Sequence, residues 1–286
     1  MVRSVRTLLD GFVDYAGVFP PASLPLDQAV ANYGRYRTGA NAWMLGRLVI
    51  PAARLGDVAC TEVAQTSAVR VSATLGDDIE AGFDAVERVG NALRVEAVEV
   101  RAANVDAVAR IVRRARPGMR VFAEVSANDD GHVLDALAEA RVSAKIRTGG
   151  VTDGAIPPAD DVVRFVSACY ARDIAFKATA GLHHPLRGEH PLTYEPGSPV
   201  GMMFGFLNLL LMAAFLTNGM NRTDAMQILQ KDDLTRVEFR DDGISWREYS
   251  LSTNEVQRTR LRLALSVGSC SFDEPVAGLK LLNLLD

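Results

Sequence analysis

The chain has 286 residues, 48% of them hydrophobic and 23% charged, with 31 Lys and Arg against 35 Asp and Glu and a formal charge of −4. That composition excludes a disordered, collagen-like or coiled-coil chain, and without a basic tract it argues against a nucleic-acid binder. The length suits either two domains or one α/β barrel of about 250 residues, which folds as a single unit.

Short β-branched runs alternate with longer Ala- and Leu-rich stretches. Strands are expected over Phe12–Phe19, Arg47–Pro51, Val69–Leu75, Leu93–Arg101, Arg120–Ser126, Val142–Arg147 and Ile174–Thr179. Helices are expected over Leu26–Arg37, Asp78–Val89, Val105–Ala115, His132–Ala140 and Asp161–Ala171. Such alternation implies parallel strands joined by right-handed crossovers. An eighth strand at Leu265–Phe272 and a terminal helix from Glu274 would complete a (β/α)8 TIM barrel, one domain spanning residues 1–286. Around 235–250 the rhythm breaks, and Asp242-Gly243 marks a β-hairpin inserted before the last unit. A Rossmann-type nucleotide site is disfavoured, because Gly17-Val18-Phe19-Pro20-Pro21 stands where a glycine-rich phosphate loop would follow the first strand.

Val200–Leu216 is apolar for nearly the length of a membrane span, which needs about 20 residues. Asn208 at its centre and the absence of flanking basic clusters favour a helix buried against the barrel or in a homodimer interface, with no membrane partner. Cys60, Cys169 and Cys270 are odd in number and show no zinc spacing, and Asp10 and Asp14 interrupt any apolar signal core. These features predict a cytoplasmic chain with no resident metal or other cofactor.

Strand parity identifies the candidate site. Side chains alternate between the helix-facing and barrel-facing sides of a strand, and the helix-facing set is apolar. Val98 and Val100 then send Glu99 and Arg101 inward, and Val121, Ala123 and Val125 send Glu124 inward. Val142, Ala144 and Ile146 leave Ser143, Lys145 and Arg147 inside; Ile174, Phe176 and Ala178 leave Lys177 and Thr179 inside. Four successive strands thus aim charges at the carboxyl-terminal mouth, where barrel enzymes build their sites. Two lysines close together would each favour the other's neutral form, the nucleophilic one. Arg101 and Arg147 suit a carboxylate or other anionic group of a small carbonyl substrate.

Three further places are candidates. His183 and His184 follow the seventh strand, and His183 is a candidate acid/base. His183 or His184 could instead join Glu99 and Glu124 around a divalent metal in a lyase, isomerase or hydrolase, since adjacent histidines rarely both reach one ion. Leu186–Pro199, with His190, reads as a lid. Asp14 ends the first strand with indecisive parity, and Gly268-Ser269-Cys270 closes the last, where Ser269 could donate to an anion; no base for Cys270 is evident.

The segments Lys145-Ile-Arg-Thr-Gly-Gly and Lys177-Ala-Thr-Ala-Gly-Leu resemble the paired lysine motifs of deoxyribose-phosphate aldolase and its class I relatives. The resemblance implies a lyase in which Lys145 forms the Schiff base and Lys177 lowers its pKa. It also implies proton transfer by a fourth-strand acid, for which parity selects Glu99 over Glu96. The family has an aspartate there, and it has no counterpart of Arg147. Beside this expectation stand the metal-dependent enzyme and a non-catalytic barrel that binds a small anion.

Overall fold

The computed structural model describes residues 1–66, 69–129 and 131–286. Eight parallel strands close into a barrel: β1 (Val13–Tyr15), β2 (Leu45–Pro51), β3 (Arg70–Thr74), β4 (Arg94–Arg101), β5 (Arg120–Glu124), β6 (Ser143–Arg147), β7 (Phe176–Thr179) and β13 (Ala264–Ser269). They follow one another in chain order around the ring, and β13 pairs with both β7 and β1 to close it. This is the (β/α)8 architecture that the alternation of short strands and helices predicts.

The surrounding helices, which begin with α1 (Arg3–Leu9), α2 (Leu26–Thr38), α3 (Leu55–Ala59) and α4 (Glu62–Thr66), take up the apolar faces. α5 (Ile79–Val89) begins at Asp78, whose side chain accepts from the Ala81 N–H, and α6 (Val105–Arg114) begins at Asn104, which accepts from Ala107 N–H. These N-caps satisfy amide donors that a helix start leaves unpaired. α7 (His132–Ala140) and α8 (Ala159–Ala171) bury Leu134, Leu137, Val162, Phe165 and Val166 against the strands.

Two excursions interrupt the barrel between β7 and β13. The segment read as a lid, Leu186–Pro199, holds the first strand and the turn of a β-hairpin, β8 (Gly188–Pro191) paired with β9 (Val200–Met203). β9 takes the first four residues of the apolar run, and the helix α9 (Phe206–Leu216) starts only after Gly205. A Cβ on Gly205 would lie 2.3 Å from both Asn208 Oδ1 and Pro185 O, so glycine is required where the chain turns. Among the described residues no helix is long and apolar enough to cross a membrane. α9 is buried within this one chain, between the barrel, α10 (Arg222–Leu229) and α11 (Thr253–Arg262), so it offers no face for the homodimer contact considered above. Asn208 stitches it in place: its amide donates to Ile228 O at 2.8 Å and Lys231 O at 3.0 Å, and its oxygen accepts from the Arg187 N–H at 2.8 Å.

The second excursion is a three-stranded meander of β10 (Val237–Phe239), β11 (Gly243–Trp246) and β12 (Tyr249–Ser252), one strand more than the expected hairpin. It packs Ile244, Trp246 and Leu251 into the core and leads through α11 into β13; α12 (Asp273–Leu281) ends the fold.

Candidate active site

The register of the barrel places the charged residues. Arg101 lies opposite Glu124, Glu124 opposite Lys145, and Lys145 opposite Lys177, across β4, β5, β6 and β7. One layer of inward side chains therefore carries both amines and one acid, and Glu99 reaches it from two residues deeper in β4. Parity placed all of these inward correctly.

Glu99 is the hub. One carboxylate oxygen accepts from Lys177 Nζ at 2.6 Å and from Ser72 Oγ at 2.8 Å; the other lies 2.9 Å from Lys145 Nζ. Lys145 Nζ also lies 2.9 Å from Glu124, and Lys177 Nζ donates to Asp14 at 2.7 Å. Asp14 in turn accepts from Ser266 Oγ and from the Arg47 N–H. Two ammonium groups thus stand among three carboxylates. Such a group in a buried site is stable only because each charge has a close partner.

This arrangement corrects one expectation. Burial alone would pull the Lys145 amine down, but the Glu99 and Glu124 carboxylates outweigh it and hold the group above its ordinary value. A carboxylate stands against each amine, and for Lys145 the net effect is the opposite of the one expected from a neighbouring cation. Burial alone would likewise push Glu99 up, and Lys177 and Lys145 together hold it well below the usual carboxylate range.

Above the charges opens a cavity of about 600 Å³, lined by Glu99, Arg101, Glu124, Lys145, Arg147, Lys177, Thr179 and His183 among others. Leu192 and Met203 of the β8–β9 hairpin complete its wall, so the hairpin overhangs the mouth. Arg101 and Arg147 are exposed at the rim and bordered by a second groove of about 530 Å³, which they share with Glu124. Among the described residues neither guanidinium is tied to a carboxylate, so both are free to meet an incoming anion.

The glycines and threonines of the two lysine segments have a structural task. Thr148 N–H donates to Thr179 O at 2.9 Å and its hydroxyl to Ala180 O at 2.8 Å. A Cβ on Gly149 would lie 3.0 Å from Gly181 Cα, and Gly181 has φ +74°, so the loops after β6 and β7 meet backbone to backbone. Gly268 serves similarly on β13: a Cβ there would lie 2.7 Å from Thr179 Oγ1 and 3.6 Å from Lys177 Cε. The motifs fix how the two strands end, and thereby where both amines sit.

Other candidates fall into place behind the cavity wall. Asp14 and Ser269 are buried and line no part of it; Asp14 anchors Lys177 and Ser269 lies 3.1 Å from His183 Nδ1. His184 turns away and stacks on His190 of β8, with centroids 3.5 Å apart, so neither it nor its neighbour joins Glu99 and Glu124 as a metal cage. Among the described residues no three His, Cys, Asp or Glu side chains gather as a metal site would need. Burial, then the nearby His184 and His190, pull His183 down to about 4, which leaves it neutral near pH 7. Cys270 has the base that sequence reading could not find, His183 Nδ1 at 3.7 Å, but burial pushes the thiol up to about 11. Tyr194 of the hairpin donates to Glu274 at 2.9 Å and touches Cys270 at 3.6 Å, tying the overhang to the first turn of α12 and to the loop after β13. Ser72 and the anchoring part of Asp14 carry little signal in the sequence, since the one charge of β3 is Arg70 at its amino-terminal end and β1 is only three residues long.

Comparison with known proteins finds no matching family model, no similar curated protein and no similar solved structure.

Proposed function

We propose that this chain is a lyase of the class I aldolase type, forming or cleaving a carbon–carbon bond through a Schiff base on Lys145. The observation that carries the reading is a buried amine at the floor of an open cavity, held between two carboxylates at the carboxyl end of the barrel. A nest of two acids around one nitrogen suits a cation, and a protonated imine is a cation.

Glu124 is the more exposed member of the pair and the one with a single amine partner, which suits it to take the proton from Lys145. The free amine then adds to the substrate carbonyl carbon, and the oxygen becomes a hydroxyl. Glu124 returns a proton to that hydroxyl, water leaves, and the protonated imine remains beside Glu99. Cleavage of the bond between the α and β carbons sends its electron pair toward the imine nitrogen and gives an enamine. The β-hydroxyl proton passes to Glu124 or, through water, to neutral His183, and the aldehyde fragment departs. Protonation at the α carbon and hydrolysis of the imine release the second fragment. Glu99 holds three bonds and Lys177 two, so these residues act as fixed charges rather than as carriers. Arg101 and Arg147 hold the anionic end of the substrate.

Borohydride reduction in the presence of a panel of small keto acids and aldehydes tests the reading. The expected result is a mass adduct mapped to Lys145 with at least one member and lost in Lys145→Ala. An adduct that persists in that variant, or none across the panel, overturns it.

A further inference from the structure

The amino-terminal end of the barrel carries a second charged feature that the proposed chemistry does not use. β3, β4 and β5 each begin with an arginine, Arg70, Arg94 and Arg120, and Arg141 and Arg262 lie two residues ahead of β6 and β13. Some of this charge is answered. Glu96 receives Arg47, Arg70 and Arg94, each through Nε at 2.9–3.1 Å, and Arg172 pairs with Asp135 at 2.7 Å.

Arg120, Arg141 and Arg262 are different. Among the described residues none of them pairs with a carboxylate, and all three line one cavity of about 470 Å³. Arg120 is held in position by donating from Nη1 to Ser143 Oγ at 3.2 Å. Burial, and then the charge of Arg47, pull its guanidinium below the ordinary value. Asp173 is the one carboxylate among the described residues that lines the same cavity, and it pairs with none of the three, so positive charge remains in excess there and a bound anion would relieve the repulsion. Arg141 also occupies the left-handed position that ends α7, at φ 56°, where glycine or asparagine is the usual residue.

We infer that this cavity is a binding site for a small oxyanion of the phosphate-ester class, carrying two or more negative charges and gripped by the forks of Arg120, Arg141 and Arg262. Guanidinium forks match phosphate oxygens in pairs, and three forks lining one cavity offer more donors than one carboxylate can accept. The site lies at the opposite end of the barrel from Lys145 and stands independently of the aldolase reading.

The test is calorimetric titration of inorganic pyrophosphate into the full chain at constant ionic strength. Saturable binding is expected, weakened at least about tenfold in the double variant Arg141→Gln/Arg262→Gln and unchanged in Arg101→Gln/Arg147→Gln at the mouth. Arg141 and Arg262 are exposed, so an unaltered melting temperature without ligand shows that the first variant is folded. Absence of saturable binding, or affinity that follows the rim pair instead, overturns the inference.

Discussion

Replacing Glu99 by glutamine removes one charge from the centre of the barrel and leaves its shape nearly intact. The wild-type carboxylate holds Lys177 at 2.6 Å, Lys145 at 2.9 Å and Ser72 at 2.8 Å. Breaking a buried ion pair outright costs about 3–5 kcal/mol. Here Lys177 keeps Asp14 and Lys145 keeps Glu124, so the cost falls at the low end, about 3 kcal/mol. With a urea slope of about 3 kcal/mol per molar for a chain of this size, the unfolding midpoint should drop by about 1 M. The pH dependence gives a second check. Glu99 titrates lower in the folded than in the unfolded protein, so its contribution is present above the unfolded carboxyl value of about 4.3 and is lost as pH falls through the folded one. The gap between wild type and Glu99→Gln should therefore close in acid. The same variant removes part of the upward push on Lys145, and the pH profile of borohydride trapping should move to lower pH. An unchanged midpoint together with an unmoved trapping profile would refute the view of Glu99 as the charge on which both amines depend.

Three other outcomes are expected. His183 and His184 are each held near 4, against about 6.5 when unfolded, so the unfolded chain takes up protons first and stability declines as pH falls from about 6.5 to about 4. Melting temperatures across that range should fall less steeply in His183→Gln/His184→Gln, and an identical slope would count against the assignment. Asn208→Leu leaves the Arg187 N–H and the Ile228 and Lys231 carbonyls without their partner and should cost about 3 kcal/mol by denaturant unfolding; a loss within error would show that water or a rearranged loop replaces the side chain. Gly268→Ala places a methyl group against Thr179 and Lys177 and should cost about 1–3 kcal/mol, with reduced trapping on Lys145 because the floor of the cavity is displaced.

Much of this was legible before any coordinates. Apolar alternation at Val98 and Val100, or at Ala144 and Ile146, fixes which residues enter the barrel, and parallel pairing then brings neighbouring strands' inward residues to one level. Glu99, Glu124, Lys145 and Lys177 follow from that alone. Parity gives direction but no distance, so it counted two facing cations without revealing the acid between them, and the sign of the Lys145 shift came out reversed. Asp14 was harder, because a strand of three buried residues has no alternation to read. The β8–β9 hairpin was hidden by a different cause: Val200–Leu216 is apolar apart from Asn208, and in a nearly continuous apolar run the periods of strand and helix look alike. Only Gly205 marks the boundary. The Cys270–His183 contact joins residues 87 apart in sequence and left no local signal.

The raised affinity of Lys145 for its proton has a consequence for selectivity on the proposed chemistry. An ammonium ion does not attack carbonyls, so in the empty site the reactive group is kept locked. A stray aldehyde that drifts in and out encounters no free electron pair. A molecule moored at its far end by Arg101 and Arg147 remains through many brief excursions of the proton to Glu124, and one such excursion suffices. Choice among substrates is then exercised by dwell time at the rim rather than by differences in electrophilicity at the floor.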